Sequence, residues 1–279
     1  MRLPLLLILL ILLGLLGLLG LLQGCAYHLS ENNFLRADPR AWPVSEVDPS
    51  YRIEAISLRQ SDGNLSHGLY LSRPDAKGTI LYLPGGGNTV DTHGVMRLWQ
   101  YRQMGYNAYV FDRRGYGHTP GTPTIARLVS DATEAYDFVH ARTRGPLILH
   151  GFSLGSTLAA EIVRERTPDI LVIEGGTPSA REYIDAKVPW FARPFVRIKL
   201  APPLQAIEPG MAIRDYPGPL LIAVGENDRD TIPQLARRLY ERARSGRKEL
   251  LVVPEAGHYA LGSEKGFKAY VDFLDRHLQ

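Results

Sequence analysis

The sequence predicts an α/β fold, in which helices cover both faces of a mostly parallel, twisted sheet. Six short apolar runs recur between residues 79 and 253, and each ends in a turn rich in glycine or polar residues. Patterns typical of amphipathic helices lie between several of these runs. Strand and helix in alternation indicate parallel strands, because each crossover covers a face of the sheet. The composition agrees: 45% hydrophobic and 22% charged residues are typical of a globular protein.

A β-hairpin is expected ahead of the parallel strands. Residues 51–58 alternate apolar and polar, and a turn at 61–64 separates them from a second run at 68–71. The later strands are predicted at 79–83, 108–111, 146–149, 170–173, 220–224 and 250–253. The helices are predicted at 128–142, 156–166, 233–244 and 267–278.

An insertion interrupts this alternation at 177–215. It holds six prolines and has no clear strand or helix pattern. A crossover needs only about a dozen residues, so we predict a small cap. Its apolar residues could line an acyl pocket (Trp190, Phe191, Phe195, Val196), its basic residues could face anionic lipid (Lys187, Arg193, Arg197, Lys199), or the cap could simply pack on the domain.

The N-terminus carries an uncharged, leucine-rich segment from Leu3 to Leu22, followed by Gly24-Cys25. This arrangement resembles a bacterial lipoprotein signal. Residues 1–24 would then be a signal peptide, and Cys25 would be lipidated. The alternative is an uncleaved membrane anchor, since about 20 apolar residues span a bilayer. Either way the domain is expected in the cell envelope, facing the periplasm or exterior, and Ala26 favours the outer membrane. Residues 25–50 are mostly polar and read as a tether to a domain over 51–279.

Charge and cysteine content exclude several classes. The net charge is +3, from 32 basic and 29 acidic residues, and no basic cluster predicts nucleic-acid binding. One cysteine allows no internal disulfide and no cysteine-based metal site. No metal or organic cofactor is expected.

A candidate nucleophile lies in Gly151-Phe-Ser153-Leu-Gly155, which fits G-x-S-x-G. An apolar strand precedes it and a helical pattern follows, as a nucleophile on a sharp strand-to-helix turn requires. The alternative is a tight turn whose serine caps the helix.

A serine hydroxyl needs a base and an acid that orients the base. His258 follows the last predicted strand, after a glycine that lets the loop turn back. Asp228 is the preferred acid because it follows the preceding strand most closely, with Asp230 and Glu174 as alternatives. Turn formation and capping are competing roles for these acids.

The developing oxyanion needs fixed N–H donors. Pro84-Gly-Gly-Gly-Asn88 follows an early strand, so the backbone N–H groups of Gly86 and Leu154 are the expected donors. A phosphate-binding loop is disfavoured, because no Lys-Ser/Thr follows the glycines and the G-x-G-x-x-G spacing is absent.

These motifs and their order resemble the α/β-hydrolase family over residues 51–279. The segment Phe111-Asp-Arg-Arg-Gly-Tyr-Gly117 is similar to one in its serine aminopeptidase-like group. The resemblance implies a serine hydrolase with Ser153, Asp228 and His258 as its triad. A small-molecule or lipid ester is the expected substrate. A peptidase, an acyltransferase and a catalytically silent binding protein remain open on this fold.

Overall fold

The computed structural model describes residues 25–35 and 52–278. The predicted signal peptide or anchor, and the tether from residue 36 onward, lie outside the described residues. Within the described ranges, no helix combines the length and the apolar character that crossing a membrane requires.

Ten strands are described, arranged in an eight-stranded and a two-stranded sheet. Their bounds are β1 Cys25–Leu29, β2 Arg52–Arg59, β3 Leu65–Ser72, β4 Thr79–Leu83, β5 Asn107–Phe111, β6 Leu147–Phe152, β7 Ile170–Glu174, β8 Val196–Leu200, β9 Leu220–Gly225 and β10 Lys248–Val253. The large sheet has the order β10-β9-β7-β6-β4-β5-β3-β2. Within it β4, β5, β6, β7, β9 and β10 run parallel, whereas β3 is antiparallel to β2 and to β5. The mostly parallel sheet is therefore confirmed.

Eight α-helices are described in the same ranges. Their bounds are α1 Val95–Met104, α2 Ile125–His140, α3 Leu154–Ile162, α4 Ala180–Lys187, α5 Pro202–Gln205, α6 Pro209–Ala212, α7 Pro233–Arg242 and α8 Glu264–His277. Short turns of 3-10 helix cover Glu31–Asn33 and Ala260–Gly262, and one π-helical turn covers Val90–Gly94.

Two hydrophobic clusters lie on opposite faces of the large sheet. One contains residues of α2, α3 and α7, such as Leu128, Leu158 and Leu239. The other contains residues of α1 and α8, such as Leu98 and Phe273. Central strands are covered on both faces, so β4, β6, β7 and β9 are buried along their whole length. This double burial explains their nearly continuous apolar sequences, and it confirms helices on both faces.

The insertion is more regular than its sequence indicates. Helix α4 begins after Ser179, whose side chain accepts a hydrogen bond from the Glu182 N–H at 3.1 Å. The stretch continues through β8, α5 and α6, where the sequence showed no clear pattern. Its regularity depends on tertiary contacts, because Ile184, Leu200, Leu204 and Ile207 form a small core of their own.

The first described residues form a strand where the sequence predicted a loop-like tether. Strand β1 runs parallel to β8, with Cys25 opposite Val196 and Leu29 opposite Leu200. Leu29 also packs against the small core of the insertion. A five-residue strand has little local signal, and its partner lies 171 positions later in the sequence.

Candidate active site

Ser153 lies on a strained turn between β6 and α3. Its φ is 52° and its ψ is −115°, a conformation that residues other than glycine rarely adopt. The flanking glycines permit the turn: a Cβ on Gly155 would lie 1.9 Å from the Leu83 carbonyl oxygen, and one on Gly151 would lie 2.3 Å from the Gly155 carbonyl oxygen. Within the described residues, the Ser153 side chain makes no capping hydrogen bond to α3. The helix-cap alternative therefore does not account for this serine.

Asp228 and His258 meet near the carboxyl ends of β9 and β10. Asp228 Oδ2 lies 2.8 Å from His258 Nδ1. The Thr231 hydroxyl donates to the same oxygen at 2.8 Å, while the N–H groups of Asp230 and Thr231 donate to Oδ1 at 2.8 and 2.9 Å. These bonds fix the carboxylate in the orientation that accepts a hydrogen bond from His258 Nδ1–H.

Asp228 and His258 each stabilise the charged form of the other. Burial opposes ionisation of Asp228, but the hydrogen bond and charge of His258 and the hydrogen bonds from Thr231 together outweigh it and lower the pKa of the carboxyl. Burial likewise opposes protonation of His258, yet the hydrogen bond and charge of Asp228, with the charges of Asp230 and Glu174, together raise the pKa of the imidazole above its ordinary value. Protonated His258 is therefore stabilised, as an acid–base residue requires.

His258 lies beside the turn that carries Ser153. Its ring centroid is 4.8 Å from that of Phe152, the residue before the serine. A Cβ on Gly175, which follows β7, would lie 3.0 Å from His258 Cε1. Ser153 itself donates its N–H to the Glu174 carbonyl at 2.8 Å. The predicted serine, histidine and Asp228 thus share one edge of the sheet.

The two alternative acids are directed elsewhere. The Asp230 side chain is 68% exposed and its Oδ1 lies 3.4 Å from Lys187 Nζ. Glu174 is wholly buried, bonded to Arg97, with His150 Nε2 at 3.2 Å and the Leu261 N–H donating to it at 2.7 Å. Among the described residues, neither carboxylate hydrogen-bonds to His258, so Asp228 is the acid that the geometry supports.

A buried charged cluster around Glu174 was not predicted from the sequence. Arg97 is a charged residue with no exposed surface. It lies on the buried face of α1 together with the apolar residues Leu98, Tyr101 and Met104. Burial opposes ionisation of Glu174, but Arg97, His150 and the Leu261 N–H together outweigh it and lower the pKa of the carboxyl. The pKa of His150 is lowered to about 4, chiefly by burial. An arginine on the core-facing side of a helix masks the apolar periodicity, which explains why α1 was not predicted either.

A cavity of about 210 Å³ opens beside the serine. Its lining is mostly apolar. It includes Ser153, Gly86 and Leu154 at one end, and Phe34, Leu35, Ile125, Ala180, Tyr183, Ile184, Leu204 and Ile207 along its walls. The aromatic residues of the insertion that the sequence suggested as an acyl pocket are not in this lining; Trp190 is 79% exposed and Phe191 63%. Other residues of the insertion line the cavity instead.

Phe34 and Leu35 come from the segment predicted to be a tether. Leu35 is buried in the core cluster with α2 and α3, and both residues line the cavity. Nearby, Glu31 accepts a hydrogen bond from the Ile125 N–H, at the start of α2. The one signal in the sequence was an apolar pair in an otherwise polar stretch.

The glycine loop after β4 is oriented by Arg113. The guanidinium donates to the carbonyls of Pro84 and Gly85 at 2.7 and 2.6 Å. The C=O of Gly85 and the N–H of Gly86 belong to one trans peptide and point in opposite directions. The Gly86 N–H therefore points away from Arg113, and Gly86 lines the cavity together with Leu154. This orientation suits a pair of N–H donors for an oxyanion.

Among the residues that the structure describes, one group of side chains has ligand atoms close enough for a metal ion. The oxygen and nitrogen atoms of Asp228, Asp230 and His258 lie within 4.8 Å of one another. However, His258 Nδ1 is engaged with Asp228 Oδ2, and Oδ1 already accepts two backbone N–H groups. An imidazole nitrogen that donates a proton has no lone pair for a metal. The donor set therefore does not fit a metal centre.

Comparisons with known proteins identify a family and several relatives of this chain. A family model described as "Serine aminopeptidase, S33" matches residues 74–216, just over half of the chain. The chain is 34% identical over 110 residues to the lysophosphatidylserine lipase ABHD12 of Rattus norvegicus. That match covers 37% of this chain and 28% of the lipase, so the chain spans little more than a quarter of that relative's length. It is also 27% identical over 227 residues to the uncharacterized protein Rv2307c of Mycobacterium tuberculosis, covering 79% of this chain and 78% of that protein.

Solved structures show the same fold. The esterase Pf2001 of Pyrococcus furiosus aligns with a TM-score of 0.70 at 18% identity, covering 87% of this chain and 98% of the esterase. The acetyl xylan esterase of Paenibacillus sp. R4 aligns with a TM-score of 0.62 at 18% identity, covering 85% and 88% of the two chains. At these identities the likeness extends to the fold and not to the substrate.

Proposed function

Because the chain belongs to the serine aminopeptidase S33 family of α/β-hydrolases, we propose that it is a membrane-tethered serine hydrolase that cleaves carboxylic esters, with Ser153, His258 and Asp228 as its triad. The observation that carries the proposal is the 2.8 Å hydrogen bond between Asp228 and His258 beside the strained turn at Ser153. A buried carboxylate that holds an imidazole beside a serine on a strand-to-helix turn is the arrangement that activates a hydroxyl.

The proposed reaction proceeds through an acyl-enzyme. Ser153 Oγ attacks the acyl carbon while His258 Nε2 accepts the hydroxyl proton, and the N–H groups of Gly86 and Leu154 stabilise the oxyanion. His258 then gives the proton to the leaving alcohol, and the ester C–O bond breaks. In the second half, His258 takes a proton from water, the hydroxide adds to the acyl carbon, and Ser153 regains its proton as the acid leaves. Asp228 holds Nδ1–H throughout.

An ester with an apolar acyl group suits the cavity better than a polar substrate. The described cavity walls are mostly apolar, and the one carboxylate among those lining residues, Asp230, has its Oδ1 3.4 Å from Lys187 Nζ. The names of the relatives, a lysophosphatidylserine lipase and two esterases, point in the same direction. The uncharged segment Leu3–Leu22 and Cys25 support attachment to a membrane of the cell envelope, through a lipidated cysteine or an anchor.

A peptidase is the second candidate, because an acid at the cavity could bind the free amine of a peptide. Asp230 is that acid. Comparing hydrolysis of an acyl ester with that of an aminoacyl anilide, in the wild type and in Asp230→Asn, separates the two. An esterase prefers the ester and keeps its rate in the variant, whereas an aminopeptidase prefers the anilide and loses binding.

A fluorophosphonate probe tests the triad in the full chain. We expect one label per chain, mapped to Ser153 by peptide mass, and no label in Ser153→Ala or His258→Ala. His118→Ala is the matched control, because its half-exposed ring pairs with Asp91 and should leave labelling intact. A folded protein that takes no label would instead be a silent binding protein. Product analysis with an added alcohol would distinguish hydrolysis from acyl transfer.

A further inference from the structure

An exposed aromatic surface lies at one end of the insertion. We call residues 189–195, between α4 and β8, the cap tip. Trp190, Phe191 and Phe195 are 79%, 63% and 51% exposed, and the rings of the first two have centroids 6.0 Å apart. Large aromatic side chains clustered in water are costly, and such patches mark surfaces that contact a partner or a membrane.

The chain enters the domain beside this surface. Cys25 pairs with Val196, the residue directly after Phe195, and the two strands are parallel. Neighbouring strands lie about 4.8 Å apart, so Cys25 is within roughly two residues' reach of the cap tip. In the sequence, only Gln23 and Gly24 separate Cys25 from the apolar segment Leu3–Leu22. Whatever lipid holds that segment or its cysteine must therefore lie close to the cap tip.

The charge of the surrounding surface suits an anionic membrane. Between residues 186 and 207 the sequence has four basic residues and no acidic one, although the whole chain carries only +3. Strand β8 alternates, exposing Arg197 and Lys199 while its apolar residues turn inward. Basic residues beside exposed Trp and Phe are typical of segments that lie in the headgroup region of anionic bilayers.

We propose that the cap tip docks into the headgroup region of the anionic bilayer to which the N-terminus is attached. The proposal rests on the membrane attachment in the proposed function and adds a second contact to it. Docking would bring the cavity to the lipid, because Ile184, Leu204 and Ile207 line the cavity and belong to the small core that also packs Leu29 and Ile198. Substrate could then pass from the bilayer to Ser153 without crossing bulk water.

The experiment measures tryptophan quenching in the full chain. The protein is mixed with vesicles of equal parts phosphatidylcholine and phosphatidylglycerol, with bromine on the acyl chains as the quencher. We expect quenching in the wild type, its loss in Trp190→Phe, and its retention in Trp99→Phe. Trp99 is the matched control because it is also partly exposed, at 38%, but lies on α1. Replacing phosphatidylglycerol with phosphatidylcholine should weaken the quenching.

The possible failures are distinguishable. A chain that floats with vesicles while Trp190 stays unquenched overturns the docking and leaves the attachment standing. A chain that does not float overturns both, whereas the probe labelling of Ser153 remains a separate result. An emission shift of Trp190 that follows protein concentration and not lipid would mean that a second copy covers the cap tip, which also overturns the proposal.

A kinetic comparison provides a second readout. The variant Trp190→Ala/Phe191→Ala should lose activity on a long-chain ester embedded in the same vesicles. Its rate on a short soluble ester should not change, because neither residue lines the cavity. Equal losses on both esters would contradict a docking role.

Discussion

The guanidinium of Arg97 binds the carboxylate of Glu174 in the interior, and neither side chain has any exposed surface. The other Glu174 oxygen accepts the Leu261 N–H at 2.7 Å, and the Tyr259 ring centroid lies 3.9 Å from Arg97 Cζ. The ion pair therefore joins α1 and β7 to the segment that directly follows His258. Glu174 thus holds the loop of the base by bonding to Leu261, and within the described residues it makes no hydrogen bond to His258.

Arg97→Met should destabilise the protein strongly. The substitution leaves Glu174 buried without its partner, which costs about 3–5 kcal/mol of unfolding free energy. The double variant Arg97→Met/Glu174→Gln should recover much of the loss, because it removes the uncompensated charge. Urea unfolding measures both, with Arg166→Met as control, because the Arg166 side chain is partly exposed at 35%. A loss below about 1 kcal/mol in Arg97→Met would contradict this role.

Asp228→Asn should abolish most activity while Asp230→Asn should not. Loss of the orienting carboxylate lowers kcat by about 10⁴-fold in serine triads. Asp228 also raises the pKa of His258. The base must be neutral, so wild-type kcat/KM should fall as the pH drops through a pKa above the ordinary value of about 6.5. In Asp228→Asn the residual kcat/KM should fall at a lower pH than in the wild type. A fall at the same pH in both proteins would argue against the pairing of Asp228 with His258.

Phe34→Ala should alter the preference for acyl length. Its ring lines the cavity beside Ser153, so its removal enlarges the space for the substrate. We expect KM for a medium-chain ester to rise about tenfold, since a lost apolar contact costs about 1–3 kcal/mol, and longer chains to gain in relative rate. Tyr27→Ala is the control, because that ring is 55% exposed and is not in the lining. An identical chain-length profile in both variants would exclude Phe34 from the pocket wall.

Gly155→Ala should prevent the turn at Ser153 from forming. The added Cβ would lie 1.9 Å from the Leu83 carbonyl oxygen, and backbone cannot yield as a side chain can. We expect loss of probe labelling and a destabilisation of more than about 3 kcal/mol, as for other backbone clashes at packed sites. Gly246→Ala is the matched control, because its added Cβ meets nothing within 4 Å. Labelling that survives in Gly155→Ala would contradict the close strand-to-helix packing.

His150 should make the free energy of unfolding depend on pH between about 4 and about 6.5. Burial lowers its folded pKa to about 4, while the unfolded value is about 6.5. Between those values the unfolded chain binds more protons, so stability falls as the pH drops from about 6.5 to about 4. The loss attributable to this residue is at most about 3 kcal/mol. His150→Gln cannot titrate and should flatten that part of the profile in urea unfolding at a series of pH values. An unchanged slope would mean that His150 is protonated in the fold.

The sequence predicted the parts of the molecule that local pattern determines. Apolar runs such as 220–224 could be predicted as buried parallel strands, because a strand covered on both faces needs a nearly continuous apolar sequence. The serine turn was recognisable because its glycines are imposed by backbone contacts over a few residues. The wall formed by Phe34 and Leu35, the strand β1 and the helix α1 were missed. Each depends on partners distant in sequence or on a buried charge that breaks the apolar pattern.

The parallel pairing of β1 with β8 also constrains the order of folding. The N-terminus is synthesised first, but Cys25 can pair only after Val196, 171 residues later in the chain, has been synthesised. Pairings between such distant segments close late, because the long loop must be ordered beforehand. Until then the first strand has an unsatisfied edge, and the cavity lacks the wall that Phe34 supplies. A new chain would thus complete its cavity only once the insertion and the N-terminal strand have joined.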